Sequence, residues 1–156
     1  MRGQPQADTT PQNPLRTIEE EAFFHLLHTA DTLFQGLTST LKTVGLSPSQ
    51  YDLLQILRGG GADGLACRAV AERMLTRDPD TTRLLDRLEA RGLVTRAREG
   101  KDRRVVTTRI TPEGVRLTVE LDAPIAQLHQ RQLGHMGKQR LRALIRLLEM
   151  ALARAR

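Results

Sequence analysis

The sequence predicts a mostly α-helical fold that carries one small β-hairpin. Apolar residues recur at helical spacing through most of the 156 residues. The exceptions are Leu93–Arg98 and Val105–Thr111, which are rich in valine and threonine and flank a polar turn that contains glycine. This length supports one domain of ordinary size, or a small domain with a helical appendage.

The N-terminal region combines a polar arm with a long helix. Residues 1–16 are rich in proline, glutamine and threonine and nearly free of large apolar side chains, so we expect a disordered arm. Thr17 and Glu20 then form a capping box, the signature of a helix start. Helical spacing of apolar residues continues for about seven turns. These residues are Phe23, Leu26, Leu27, Ala30, Leu33, Phe34, Leu37 and Leu41.

Two shorter helices follow. Ser47 and Gln50 form a second capping box with Pro48 at the first helical position, which predicts a helix to Arg58. Glycines at 59–61 and 64 mark a flexible connection, after which Leu65 or Cys67 begins a short helix. Val70, Ala71 and Met74 would face the core, and residues 75–77 would form the turn before the next helix.

The third short helix is amphipathic and studded with arginine. Asp78 is the predicted N-cap, Pro79 suits the first helical position, and Gly92 suits the left-handed residue that ends the helix. Arg83 and Arg87 share one face, four residues apart. The opposite, core-facing side carries Thr81, Leu84, Leu85 and Leu88.

The hairpin that follows has a basic tip. Lys101, Arg103 and Arg104 lie within the turn of residues 99–104, where they have no packing purpose. A helix-turn-helix followed directly by such a hairpin predicts a winged helix-turn-helix, with the helix in the major groove of DNA and the hairpin tip along the backbone or in the minor groove. The alternative is a solvated surface turn.

Composition favours duplex DNA as the partner. The formal net charge of +6 favours a polyanion. Aromatic residues make up only 3% of the chain, so the stacking platforms that bind single strands and RNA lack their material. Arg2 and Arg16 leave open that the N-terminal arm also touches DNA. The sequence contains one cysteine, and we find in it neither an apolar run of transmembrane length nor a signal core. We therefore expect a cytoplasmic protein with no membrane partner.

The C-terminal region predicts two more helices. Thr111 and Pro112 start the first, whose apolar stripe is Val115, Val119, Leu121, Ile125 and Leu128, and Pro124 is expected to bend or interrupt it. Gly134 and Gly137 break the chain before the last helix, Lys138–Ala153. Its apolar side carries Leu141, Leu144, Ile145, Leu148, Ala151 and Leu152.

The apolar stripes of the terminal helices exceed what a core of about sixty residues could cover. We therefore expect these helices to pack together and against a second copy, as a two-fold dimer suited to an inverted-repeat operator. The predicted organisation is a disordered arm at 1–16, dimerisation helices at 17–45 and 112–156, and a winged helix-turn-helix unit at 46–111.

Three segments together resemble the MarR family of transcriptional regulators. They are LSPSQYDLLQILR (46–58), ERMLTRDPDTTRLLDRLEARGLVTR (72–96) and DRRVVTTRITPEG (102–114), and the order of elements matches over roughly residues 18–153. The resemblance implies an obligate dimer held by its terminal helices. It also implies repression or activation of nearby genes through a palindromic operator, often relieved by a small ligand or an oxidant.

The resemblance implies roles for individual residues. Thr81, Thr82 and Arg83 would face the major groove, Arg77 and Asp80 would lie at the leading edge of the helix, and Arg87 would contact phosphate. In the wing, Asp102 would orient Arg104 towards the minor groove, Arg103 would contact the backbone, and Lys101 would add to the basic tip. Arg83 could bind a guanine and the threonines a thymine methyl or either base.

Other features admit a functional and a structural interpretation. Cys67 could be a redox switch, but a small packing residue explains it as well, and its position does not match the family's sensing cysteines. His25, His28, His129 and His135 could sense a metal, although no cysteine or tight acidic cluster completes a set. Tyr51, Phe23, Phe34 and Met74 could line an effector cleft or simply form core.

No catalytic motif is recognisable, and Asp86 and Glu89 are expected to pair with nearby arginines rather than to act as catalytic carboxylates. The sequence therefore predicts a DNA-binding protein without a cofactor, and not an enzyme. The alternative function is a winged-helix module that binds another protein.

Overall fold

Six helices and three short strands make up the part of the chain that the computed structural model describes, which is residues 17–74, 80–98 and 106–154. The helices are α1 (Ile18–Lys42), α2 (Pro48–Gly59), α3 (Cys67–Arg73), α4 (Thr81–Ala90), α5 (Pro112–Leu133) and α6 (Gly137–Arg154). The strands are β1 (Leu65–Ala66), β2 (Val94–Arg98) and β3 (Val106–Ile110). A mostly helical fold with a small hairpin is confirmed. The chain divides into two compact units, Met1–Phe34 and Gln35–Arg156.

The described part of the first unit is the N-terminal stretch of α1. The predicted capping box is present, since the Thr17 N–H donates to Glu20 Oε2 at 3.0 Å and the Glu20 N–H donates to Thr17 Oγ1 at 3.3 Å. Many of the large apolar side chains of this stretch are exposed, namely Ile18, Phe23, Phe24, Leu26, Leu27 and Phe34. In this unit the apolar stripe that the spacing predicts is therefore formed but largely exposed.

The second unit has a leucine-rich core. Its buried members come from the end of α1, from α2, α3, α4 and α5, and from the start of β2. They are Leu41, Leu46, Leu53, Leu54, Leu57, Val70, Met74, Leu84, Leu85, Leu88, Leu93, Val94, Leu121 and Ile125. Ser47 and Gln50 close the predicted capping box at the start of α2, with Pro48 at the first helical position. The leucines of α4 thus anchor this helix in the core, and the other side of the helix faces away from the core.

The three strands form one antiparallel sheet in the order β1-β3-β2. Val94 pairs with Ile110 and Arg98 with Val106, which confirms the hairpin predicted from the valine and threonine pattern. The strand β1 was not predicted, because a two-residue strand has no alternation to recognise. Its approach to β3 depends on Gly64, where φ is +73° and a Cβ would lie 2.6 Å from the backbone oxygen of Thr108.

The start of α5 is as predicted, and its interior differs. Thr111 is the N-cap, accepting from the Gly114 N–H at 3.1 Å, and Pro112 follows it. The helix then continues through Pro124 to Leu133, so of the two effects expected of Pro124, a bend or an interruption, the interruption is excluded. Proline removes one backbone hydrogen bond, and the buried Leu121 and Ile125 on either side of it hold the helix to the core.

Two members of the stripe predicted for α5 are not buried. Val115 and Val119 are exposed, whereas Gly114 and Thr118 occupy the buried side with Leu121, Ile125 and Leu128. The hydroxyl of Thr118 donates to the Val115 carbonyl at 2.8 Å, so this polar side chain is buried without an unsatisfied donor.

The helix α6 begins one residue before the predicted start, after a 3-10 turn at Gly134–Met136. None of its described residues is buried, and Ile145, Leu147, Leu148, Met150 and Leu152 are exposed. Among the described residues, each helix is too short or too polar to cross a membrane.

Candidate nucleic-acid interface

The arginine-bearing helix α4 begins at Asp80. This residue has a non-helical conformation (φ −123°, ψ 42°), and its carboxylate accepts from the Arg83 N–H at 3.3 Å. The predicted start two residues earlier, with Asp78 as the N-cap and Pro79 at the first helical position, is therefore wrong. Both aspartates are good caps by composition, and the local sequence does not decide between them. Asp78, Pro79 and the predicted contact Arg77 lie outside the described residues.

The two sides of α4 differ as the periodicity predicts. Leu84, Leu85 and Leu88 are buried in the core. Thr82, Arg83 and Arg87 are exposed on the opposite side. A helix anchored by leucines thus presents a polar, cationic surface away from the protein.

The exposed arginines are in different electrostatic situations. Arg83 forms an ion pair with Asp80, with 3.0 Å between Nε and Oδ2, and its side chain remains 77% exposed. Arg87, four residues on, has no ion pair with a residue in the described ranges. Exposed ion pairs of the first kind contribute little to stability, so Arg83 can exchange its partner at little cost.

Thr81 is placed differently from its neighbours. It is half-buried, and its hydroxyl lies 3.9 Å from the Met74 sulfur. Its side chain is thus turned towards α3 rather than outwards, which leaves Thr82 as the threonine on the exposed side.

A Schellman motif ends α4 and leads directly into the hairpin. Gly92 has φ +70°, its N–H donates to the Glu89 carbonyl at 2.8 Å, and the Leu93 N–H donates to the Leu88 carbonyl at 3.0 Å. The predicted role of Gly92 is confirmed. Only three residues separate the last turn of α4 from Val94.

This connection is fixed from two directions. The Thr111 hydroxyl donates to the Gly92 carbonyl at 2.7 Å, and the Thr111 N–H donates to the Leu93 carbonyl at 3.0 Å. On the other side, the guanidinium of Arg91 donates to the Gly45 carbonyl at 2.6 Å and to the Val44 carbonyl at 3.0 Å. The start of α5 and the turn after α1 therefore hold the end of α4 in place.

Arg96 of β2 joins the hairpin to α4. Its guanidinium donates to Glu89 Oε2 from Nε at 2.9 Å and from Nη2 at 2.6 Å, and Nη2 also donates to Asp86 Oδ1 at 2.5 Å. The side-chain hydrogen bond from Arg96 is the main cause that lowers the pKa of Glu89. The prediction that Asp86 and Glu89 pair with arginine is confirmed. Arg96 itself was missed, because it lies on a strand and not on α4. Its pairing with Glu89 arises only when the hairpin folds back on the helix.

The tip of the wing lies outside the described residues. The ladder between β2 and β3 extends to the pair Arg98 and Val106. The residues between them include Lys101, Asp102, Arg103 and Arg104, and the roles expected for these four remain predictions.

The sensing alternatives receive no support from the described residues. The sulfur of Cys67 lies 3.5 Å from the Thr108 hydroxyl and packs against the core, as a structural cysteine would. His25 lies 3.8 Å from Glu21 on the exposed surface of α1. In residues 17–74, 80–98 and 106–154 no group of three histidine, cysteine or acidic side chains is placed to hold a metal ion.

Comparison with known proteins identifies the family. The model of the MarR family matches residues 44–105, which run from the turn before α2 into the wing. A MarR transcription factor from Planctomyces limnophilus is 38% identical, with a TM-score of 0.69, over 86% of this chain and 98% of that one. The HTH-type transcriptional repressor MdtR of Bacillus subtilis is 33% identical over 78 residues, which are 50% of this chain and 49% of that protein.

A second solved structure shows the same fold at lower identity. It is BpsR of Bordetella bronchiseptica, described for the regulation of its DNA binding by 6-hydroxynicotinic acid. It is 23% identical to this chain, with a TM-score of 0.77, and covers 87% of this chain and 96% of that one. Two observations agree: the match with the Planctomyces limnophilus protein is nearly complete, and α4 is followed directly by a hairpin. The chain therefore belongs to the MarR family of transcriptional regulators.

Proposed function

We propose that this chain binds a palindromic operator in double-stranded DNA as a homodimer and represses the genes beside it. The observation that carries the proposal is the outer side of α4, where Thr82, Arg83 and Arg87 are exposed directly before a hairpin with a basic tip. A helix with three buried leucines on one side and exposed arginines on the other matches the shape and charge of a major groove.

The side chains of α4 divide into contacts of two kinds. Arg83 and Thr82 belong to the first turn, which enters the groove deepest, so they are the residues proposed to read bases. An arginine can donate two hydrogen bonds to one guanine, and a threonine can meet a thymine methyl group. Arg87 lies one turn further along the helix and is proposed to contact phosphate.

The wing supplies the second proposed contact. Lys101, Arg103 and Arg104 follow β2 in the sequence, and Asp102 is proposed to orient the arginine that enters the minor groove. The paired strands β2 and β3 give this basic segment a firm base, because the ladder continues as far as Arg98 and Val106.

Exposed apolar side chains support the proposed dimer. Along α6 these are Ile145, Leu147, Leu148, Met150 and Leu152, and α1 contributes its own exposed set. Apolar surface of this extent marks a contact with another protein. A two-fold dimer through the terminal helices would present two copies of α4 to half-sites about 34 Å apart, one turn of DNA.

Two relatives support repression and its control. MdtR is a transcriptional repressor, and DNA binding by BpsR is regulated by 6-hydroxynicotinic acid. We accordingly propose that this chain is also a repressor and that a small organic molecule controls its affinity for DNA. We also propose that the protein acts in the cytoplasm, where duplex DNA is its partner, and the single cysteine favours a reducing compartment of this kind.

Selection of bound duplexes from a random library is the direct test. We expect an inverted repeat whose half-sites are about one helical turn apart. Arg83→Ala should weaken binding by about 1–3 kcal/mol for each half-site and relax the preference at one position of each half-site. If the purified protein fails to bind even random duplex at low salt, the proposal is wrong and a protein-binding module is favoured.

The proposed phosphate contact has a matched control. Arg87→Ala should reduce the slope of log affinity against log salt by about two for the dimer, because each of its two reading helices neutralises one fewer phosphate. Arg116→Ala removes the same charge from α5, where the arginine is paired with Glu113 and Glu120, and should leave the slope unchanged. Equal slopes for both variants would remove Arg87 from the interface.

A further inference from the structure

The outer side of α4 includes a carboxylate that the proposed function does not explain. Asp86 lies one turn after Thr82 and directly before Arg87, and its side chain is 54% exposed. Glu89, one turn closer to the end of the helix, is 38% exposed. Two negative charges on the side that approaches phosphates would repel DNA unless they are compensated.

The compensating charge comes from the hairpin. Arg96 has a side chain that is only 22% exposed, and one guanidinium serves both carboxylates, with 2.5 Å to Asp86 Oδ1 and 2.6 Å to Glu89 Oε2. The backbone N–H of Arg96 also donates to Glu89 Oε1 at 3.0 Å. Because these acids already hold the guanidinium, it is not available as a phosphate contact of its own.

We propose that Arg96 is a positioning residue for DNA binding, which holds the carboxylates of Asp86 and Glu89 and shields them from the duplex. This inference rests on the proposed function, since it has meaning only if α4 binds DNA. The hydrogen bonds of Arg96 to Glu89 also hold the middle of β2 against the last turn of α4.

The chain offers a control with the same chemistry in another place. Arg116 also serves two carboxylates, Glu113 and Glu120, and all three lie on α5. Removing its charge changes the net charge of the protein by the same amount without uncovering an acid on α4.

The test measures operator or random-duplex affinity as a function of salt. Arg96→Gln should bind about tenfold more weakly than wild type at about 50 mM salt, and the deficit should shrink at higher salt because the repulsion is screened within about 10 Å. Arg116→Gln should stay within about twofold of wild type. Adding Asp86→Asn and Glu89→Gln to Arg96→Gln should restore most of the affinity, a rescue that a purely structural role of Arg96 would not give.

A second variant keeps the test decisive if Arg96→Gln does not fold. Asp86→Asn in the wild-type background leaves Arg96 with one acid, and it should tighten DNA binding about two- to threefold. Unchanged affinity for this variant overturns the inference, as does a weakening in Arg96→Gln that the neutral acids do not reverse. Absence of DNA binding by the wild type would instead overturn the proposed function, so the two failures are distinguishable.

Discussion

Replacement of Gly114 by alanine tests how closely α5 packs on the connection between α4 and the wing. Gly114 is buried in the first turn of α5. A Cβ there would overlap the backbone oxygen of Leu93 and lie 2.7 Å from Ile110 Cγ1, whereas carbon atoms in contact ordinarily stand about 3.5–4.0 Å apart. The helix or the hairpin must therefore move by about 1 Å to admit one methyl group.

The expected destabilisation follows from two opposing effects. Overpacking costs about 1–3 kcal/mol, and the upper end applies because one of the overlapping atoms belongs to the backbone. Alanine regains up to about 1 kcal/mol through its higher helix propensity. We expect Gly114→Ala to lower the free energy of unfolding by about 2 kcal/mol and Tm by about 4–8 °C.

Urea unfolding followed by circular dichroism measures this change, at one protein concentration because the proposed dimer would contribute to the measured stability. The matched control is Gly59→Ala at the end of α2, where a Cβ would meet no atom within 4 Å. That variant should be neutral or more stable by up to about 1 kcal/mol. If Gly114→Ala is as stable as Gly59→Ala, the close approach of α5 to Leu93 is wrong.

Three further changes test other parts of the second unit. Leu85→Ala, at a fully buried position, should cost about 3–5 kcal/mol in urea unfolding, and a change below about 1 kcal/mol would contradict its place in the core. Thr111→Ala removes both the α5 cap and the hydrogen bond to Gly92, so the free energy of unfolding should fall by about 1–2 kcal/mol. An unchanged free energy of unfolding would contradict these hydrogen bonds. The hydrogen bond from Arg58 lowers the pKa of Asp122. The pair of Arg58 and Asp122 therefore stabilises the folded state above pH about 4, and this contribution disappears as pH falls through the depressed pKa. Wild type should therefore exceed Asp122→Asn in urea midpoint at about pH 7 but not at about pH 2, and a gap that persists in acid would refute the linkage.

Features that depend on neighbouring residues in the sequence were predictable. The starts of α2 and α5 follow from Ser47 and Thr111, each of which caps the helix through its own side chain and has proline next to it. The buried and exposed sides of α4 follow from the spacing of three leucines. Such signals act over one turn of helix, and the local sequence contains all of them.

Features that depend on distant residues were not predictable. β1 exists because Leu65 pairs with Thr108, and the continuity of α5 at Pro124 depends on packing against the core. The start of α4 was misplaced because two aspartates compete for one cap. The cluster around Arg96 forms only when the hairpin folds back on α4. The predicted contacts of the wing tip stay predictions, since they lie outside the described residues.

The hydrogen bonds of Thr111 link the first turn of α5 to the end of α4 and the start of the hairpin. One residue caps α5 and simultaneously holds Gly92 and Leu93, so a tilt of α5 is transmitted to the last turn of α4 and the first residue of β2 together. A signal that tilts α5 would move α4 and the hairpin together. If α4 and the hairpin bind DNA as proposed, the protein would be controlled by a change in the position of these elements and not in the geometry between them.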